Sequence, residues 1–252
     1  MKKIFLILLL IFSVFMFGCI KKEPQTSLEA IKEKGYITVG TKFETKPFGY
    51  IENGELQGFD IDIAKKIAKE IFDDETKVEF IEVTSENRIS KLMNEEIDII
   101  VATMSDTPDR REIVDFSRPY YISGQAVLCK KNSEVNSIAD LSNHNTVVVI
   151  GTTAEKTLRH LYQRSNIIRA LTYNEAFRNI DKETCMIADE AILRGFVIDN
   201  QDYVIYNKRL SKEPYAVAIR KGEENLKNIV DITLNKLENS GELNSIQAKW
   251  IK

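Results

Sequence analysis

Two short stretches of this chain carry residue types suited to holding a small ionised molecule. In the first, an apolar segment from Ile97 to Ala102 runs into Thr103-Met104-Ser105-Asp106-Thr107-Pro108-Asp109-Arg110. Thr107 is a good N-cap, Pro108 suits the first helical position and Asp109 complements the helix dipole, so a helix is expected to start there. Arg110 would project from its first turn, and a guanidinium matches a carboxylate through two parallel hydrogen bonds. In the second stretch, Val147 to Ile150 leads into Gly151-Thr152-Thr153-Ala154-Glu155. Thr152 with Glu155 makes a capping box, and the bare N–H groups of such a helix start favour an anion. Both places together could hold one carboxylate. The plainer alternative leaves Arg110 on the solvated surface and the second stretch as an ordinary helix start.

Strand-like and helix-like segments alternate in the order needed to carry these stretches. Tyr36 to Gly40 reads as a strand, and Asp60 to Phe72 as an amphipathic helix with Ile63, Ile67 and Ile71 four apart. Lys77 to Val83 alternates as a strand, Arg88 to Met93 is helical, and Ile97 to Ala102 is a further strand. This βαβαβ order implies a mostly parallel sheet covered by helices. A second series follows Pro119: strands at Gln125 to Cys129, Thr146 to Ile150, Ile167 to Leu171, Met186 to Ala188 and Val204 to Tyr206, with a helix from Ala154 to Tyr162. Glu223 to Trp250 is helical. Two α/β units are the natural division, and open α/β sheets bind ligands beyond the carboxyl ends of their strands.

Composition narrows the class. The 252 residues carry a net charge of −3 with no basic run or stripe, which argues against a nucleic-acid partner. His144, His160 and the cysteines make no metal-ligand spacing, so no metal or cofactor is expected. Cys129 and Cys185 sit in apolar, strand-like contexts, where free thiols are usually packing residues; a disulfide between them is possible in an oxidising compartment, but sequence does not establish their distance. No serine elbow, catalytic cysteine pair or phosphate loop occurs, so no catalytic residue is assigned.

Four stretches give the chain a family likeness. GFDIDIAKKIA (Gly58 to Ala68), ATMSDTPDRREIVDFSRPYY (Ala102 to Tyr121), GTTAE and EPYAVAIRKG (Glu213 to Gly222) occur in an order that closely resembles the polar amino-acid solute-binding proteins of ABC importers, bacterial extracellular solute-binding proteins of family 3. The resemblance runs from about Leu28 to the C-terminus. It implies a type II periplasmic-binding-protein fold, two α/β lobes joined by a two-strand hinge. The expected lobes are residues 28–123 plus 214–252, and residues 124–213. It further implies that Arg110 pairs with a ligand α-carboxylate, aided by Ser105 and by Thr153 across the cleft. Asp189 takes the α-ammonium, with Thr103 helping from the first lobe. A carboxylate suits that task because an ammonium has three donors and no acceptor.

The likeness also bears on the side chain of the ligand. Thr45, before Pro47-Phe48, stands where binders of basic amino acids carry an aromatic. Gly40-Thr41-Lys42-Phe43 and Asn87-Arg88-Ile89 resemble the glutamate- and aspartate-binding branch. Arg110 and Asp189 already balance a zwitterion, so burying Lys42 and Arg88 beside a neutral side chain would leave two cations unpaired. The expectation is therefore L-glutamate or L-aspartate, with the amides next. Alternatively, Lys42 and Arg88 face solvent on the rim.

The N-terminus resembles a lipoprotein leader. Lys2-Lys3 precede Ile4 to Phe17, a run in which only Ser13 is polar and which is shorter than the roughly 20 residues that span a bilayer. Gly18-Cys19 follow, so residues 1–18 are expected to be a signal peptide, with Cys19 lipidated and residues 19–27 a tether. A plain signal peptide with a chance cysteine is the alternative. The expected partners are a free L-amino acid, the permease and ATPase of an ABC importer, and a membrane reached through the anchor, with the protein itself a monomer. The rival functions are a sensor ectodomain and a dehydratase on the same fold.

Overall fold

The computed structural model describes residues 27–161, 166–198, 200–206 and 210–251. The expected signal peptide and the lipidated Cys19 lie outside the described residues. A helix, α1, runs from Ser27, the last residue assigned to the expected tether, to Lys34.

Two five-stranded sheets organise the chain. The first has the order β5-β1-β6-β13-β7, built from β5 (Val78–Glu82), β1 (Ile37–Thr41), β6 (Ile99–Ile100), β13 (Glu213–Arg220) and β7 (Val114–Ser123). β1 pairs with both β5 and β6 in parallel, whereas β13 pairs antiparallel with β6 and with β7. The three strands of the expected βαβαβ run are thus parallel, and β13 alone runs against the rest of the sheet. The chain leaves along β7 and returns along β13, and two such consecutive crossings must run in opposite directions. The second sheet has the order β10-β9-β11-β8-β12, from β10 (Asn166–Ala170), β9 (Asn145–Val149), β11 (Thr184–Asp189), β8 (Gln125–Lys130) and β12 (Tyr203–Tyr206). Again β10, β9 and β11 are parallel, and β8 alone runs against them, pairing antiparallel with β11 on one side and β12 on the other. A small sheet of β2 (Glu44–Thr45), β3 (Gly49–Glu52) and β4 (Glu55–Gln57) lies beside the first.

Helix α2 (Phe59–Phe72) follows its apolar spacing: Ile63 and Ile67 are fully buried. It starts at Gly58, where φ is 134° and a Cβ would fall 2.1 Å from the Phe48 carbonyl oxygen, so only glycine fits. Phe48 in turn meets the rings of Phe59 and Tyr215 edge-on at 6.1 and 5.4 Å. These rings fill the floor beneath the strand ends.

The strand expected over Ile97 to Ala102 is laddered as β6 only at Ile99–Ile100. Beyond it the backbone turns, because Thr103 takes a left-handed φ of 49°. A β-branched residue rarely adopts that conformation, and such strain persists only where neighbours enforce it. Cys129 on β8 and Cys185 on β11 are joined by a disulfide, with Cα atoms 4.6 Å apart. They stand opposite each other, one step along the register from the Leu128–Met186 pair. Of the two readings open for these cysteines, the bonded one holds, as suits an oxidising compartment.

Candidate ligand-binding site

The expected site residues converge where the strand ends of the two sheets face each other. Thr107 caps the short helix α4 (Pro108–Arg111), its hydroxyl accepting from the Arg110 N–H at 3.4 Å. The Arg110 guanidinium donates to the Ser105 carbonyl at 2.8 Å and to the Gly151 carbonyl at 3.0 Å. One fork therefore spans both strand-end loops, and Ser105 meets it through its main chain. Burial holds the Arg110 pKa below its ordinary value, and the nearby Glu213 and Asp189 carboxylates oppose that shift.

Across the cleft, helix α5 (Thr153–Leu161) starts after Gly151. Its cap differs slightly from the expected box. Glu155 N–H donates to Thr152 Oγ1 at 3.4 Å, but the Glu155 carboxylate reaches back to the Gly151 N–H at 3.2 Å. Thr153 Oγ1 donates to Glu213 Oε2 at 2.9 Å. Asp189 closes β11 and is 6% exposed, accepting a hydrogen bond from the Tyr215 hydroxyl. Burial, and then the Glu213 carboxylate, push the Asp189 pKa up to about 7.

Lys42 and Arg88 do not sit on the rim. They are 4% and 2% exposed. Lys42 Nζ donates to Ser85 Oγ at 2.6 Å and lies 4.8 Å from the Tyr173 ring centroid, a cation–π contact. Burial, and then Arg88, bring its pKa down to about 7. Arg88 Nη1 donates to the Ala102 carbonyl at 2.7 Å, while its Nε has no partner in the protein. Burial, with Arg110 second, lowers the Arg88 pKa to about 9. Thr103 Oγ1 is buried without a partner as well. Buried polar atoms left unpaired are costly, so a polar ligand fits these two.

The chain matches a known family over most of its length. The family model for bacterial extracellular solute-binding proteins, family 3, matches residues 37–252. The chain belongs to that family. The ABC transporter glutamine-binding protein GlnH of Bacillus subtilis is 37% identical over 268 residues, covering 100% of this chain and 98% of that protein. The L-glutamate/L-aspartate-binding protein of Pseudomonas aeruginosa is 31% identical, covering 89% and 79%. The solved cysteine-binding protein of Campylobacter jejuni superposes with a TM-score of 0.86 at 32% identity, covering 90% of this chain and 93% of that one. The fold is accordingly the type II periplasmic-binding-protein fold, two α/β lobes joined by two crossing strands.

Several residues of this family 3 cleft escape sequence reasoning. Asp60, within the first family-like stretch, is fully buried and accepts from the Thr103 N–H and the Tyr120 hydroxyl, each at 2.8 Å. It thereby holds Thr103 in its strained turn. Burial lifts its pKa to about 6. An acid on the apolar face of an amphipathic helix was the available signal. Glu213 is 4% exposed and accepts from Gln125 Nε2 at 2.8 Å and Ser211 Oγ at 2.6 Å besides Thr153. Tyr173, which covers Lys42, follows the N-cap Thr172 of helix α6 (Tyr173–Arg178). Nothing in its local sequence marks it, because it reaches Lys42 only across the cleft. Three cations, the buried Lys42 and Arg88 and the half-buried Arg110, are thus matched by three buried carboxylates, Asp60, Asp189 and Glu213. The count made from sequence lacked two of those acids.

Proposed function

We propose that the cleft captures one free L-amino acid, L-glutamine first and L-glutamate next, for delivery to the permease and ATPase of an ABC importer. The observation that carries the ligand reading is the balance in the cleft of three cations, Lys42, Arg88 and the half-buried Arg110, against the three buried carboxylates Asp60, Asp189 and Glu213. A zwitterion with a neutral amide side chain leaves that balance intact. Arg110 would take the α-carboxylate and Asp189 the α-ammonium, with Thr103, Ser105 and Thr153 completing the shell. Lys42 and Arg88 would meet the side-chain carbonyl. The glutamine-binding name of the Bacillus subtilis relative supports this reading.

L-Glutamate or L-aspartate is the second reading, and Lys42 favours it. With a pKa near 7, Lys42 can take up a proton when a carboxylate arrives. The Pseudomonas aeruginosa relative, named for those two amino acids, supports it too. Calorimetry against all twenty amino acids tests both: an L-glutamine Kd at least tenfold below that of L-glutamate, about 1.4 kcal/mol, is expected. Preference for a basic or apolar amino acid would overturn both. The relatives are binding proteins by name, and the cleft is read as one that binds rather than turns over its ligand.

The lobes would divide as residues 28–123 plus 214–252, and 124–213. The change of sheet between β7, ending at Ser123, and β8, starting at Gln125, supports this, as does the start of β13 at Glu213. Side chains of both lobes must grip one ligand for binding to favour the closed form. Small-angle scattering should show a smaller radius of gyration with ligand; an unchanged profile at saturation would contradict closure. Among the described residues no helix is long and apolar enough to cross a membrane. Anchoring as a monomer through lipidated Cys19 is the reading drawn from the leader. Label from radioactive fatty acid should appear in the parent and vanish in Cys19→Ala.

A further inference from the structure

Glycine is a poor choice inside a helix, because it gives up more backbone freedom on folding than any other residue. Gly195 nevertheless sits within helix α7 (Glu190–Val197, EAILRGFV). Its own φ does not call for glycine, since it is not among the left-handed positions. Its surroundings do. A Cβ at this position would lie 2.2 Å from the Lys46 carbonyl oxygen and 2.9 Å from the carbonyl carbon. These are main-chain atoms of the turn between β2 and β3, which cannot swing aside as a side chain could.

Lys46 and Gly195 belong to different lobes in the division proposed above, and the inference rests on that division. We propose that Gly195 sets how far the lobes can close: helix α7 seats on the Lys46 carbonyl, a seat that no larger residue permits. Gly195 is then a positioning residue for ligand binding, acting on the closed form without touching the ligand. Gly151 makes a similar approach, its Cβ falling 2.7 Å from the Ser85 carbonyl oxygen. That position cannot isolate the effect, since its φ of 77° itself calls for glycine and its carbonyl holds Arg110. At Gly195 the two consequences separate. With the lobes apart, alanine is the better helix former. With the lobes together, it collides with Lys46.

The closed form can be counted without any ligand. Asp109 and Lys156 form an ion pair of 2.6 Å between the lobes. In the full chain with Cys19→Ser, Asp109→Cys and Lys156→Cys would be joined by a short bis-maleimide when the lobes meet. Gly195→Ala should slow that cross-linking at least tenfold. Arg194→Ala, on the same helix and paired with Glu190, should change it less than twofold. The thermal midpoint of the empty Gly195→Ala chain should equal or exceed the parent's, and its affinity for L-glutamine and L-glutamate should fall at least tenfold. Equal cross-linking rates in parent and Gly195→Ala would overturn the proposal, and so would a lowered midpoint, which would place the clash within the open chain. A parent that binds neither amino acid would overturn the ligand reading alone.

Discussion

The three parallel strands of the first sheet and the three of the second end in matching places, yet they present opposite chemistry. Beyond β1 stands Lys42, beyond β5 stand Ser85 and Arg88, and beyond β6 stand Thr103, Ser105 and Arg110. At the matching ends of β9, β10 and β11 stand Gly151 to Thr153, Tyr173 and Asp189. The first side thus gathers guanidinium and ammonium groups, each fixed on a carbonyl or hydroxyl. The second offers a helix start, a ring and a carboxylate. The same topology puts ligand-facing groups at the carboxyl ends of strands in both halves, while the side chains placed there decide which end of a zwitterion each half can hold. The halves also differ in bracing: the first relies on Asp60 within its charge cluster, and the second on a disulfide.

The largest effect should come from removing the cation that touches both sides. Arg110→Ala takes one partner from a buried charge pair, which typically costs about 2–5 kcal/mol. A micromolar affinity would fall to about millimolar or worse. Calorimetry reads the loss, and circular dichroism should show the fold retained. Binding equal to the parent's would remove Arg110 from the clamp and leave the first side without its carboxylate partner.

Breaking the bracing of the second half should come next. Cross-links of this kind typically contribute about 2–4 kcal/mol. Cys129→Ala with Cys185→Ala should lower stability by that amount, read by chemical denaturation. Hydrogen exchange should quicken in β8 and β11 while α2 and β1 keep their protection. Equal loss in both halves would show that they unfold as one unit.

Acidity separates the two sides more finely. Asp189 titrates near 7 in the cleft, and an ammonium can pair only with its ionised form. Ligand binding must therefore release a proton below that pH, and affinity should fall by up to about tenfold, or 1.4 kcal/mol, per unit of further acidification. Lys42 gives the opposite limb. It loses its proton above about 7, so L-glutamate should weaken as pH rises while L-glutamine should not. Isothermal titration across pH 5 to 9 reads both limbs. A flat acid limb would dismiss Asp189 as the ammonium partner.

The smallest effect concerns the amide against the acid. Lys42→Met should weaken L-glutamate more than L-glutamine, by less than about 1.4 kcal/mol, since on the glutamine reading Lys42 meets a neutral carbonyl rather than a ligand carboxylate. Competition binding gives the ratio. A larger shift would return the acidic amino acid to first place.

Local chemistry was enough for the elements and for many of the groups at their ends. The spacing of Ile63 and Ile67, the cap at Thr107 with Pro108, and the glycine at Gly151 act within a few residues, so helix α2, helix α4 and the second helix start could be read directly. The family-like stretches added the fold, and Lys42, Arg88 and Asp189 are buried in the cleft they implied. What the sequence withheld depends on residues far apart in the chain. Cys129 meets Cys185 only through the β8–β11 register, and Tyr173 meets Lys42 only across the cleft. The charge balance depends on Asp60 and Glu213, whose burial comes from packing against Thr103, Tyr120, Gln125 and Thr153. A residue's type and neighbours determine its charge and its local turn; its desolvation, and hence the partner it needs, follows only from what the folded chain brings around it.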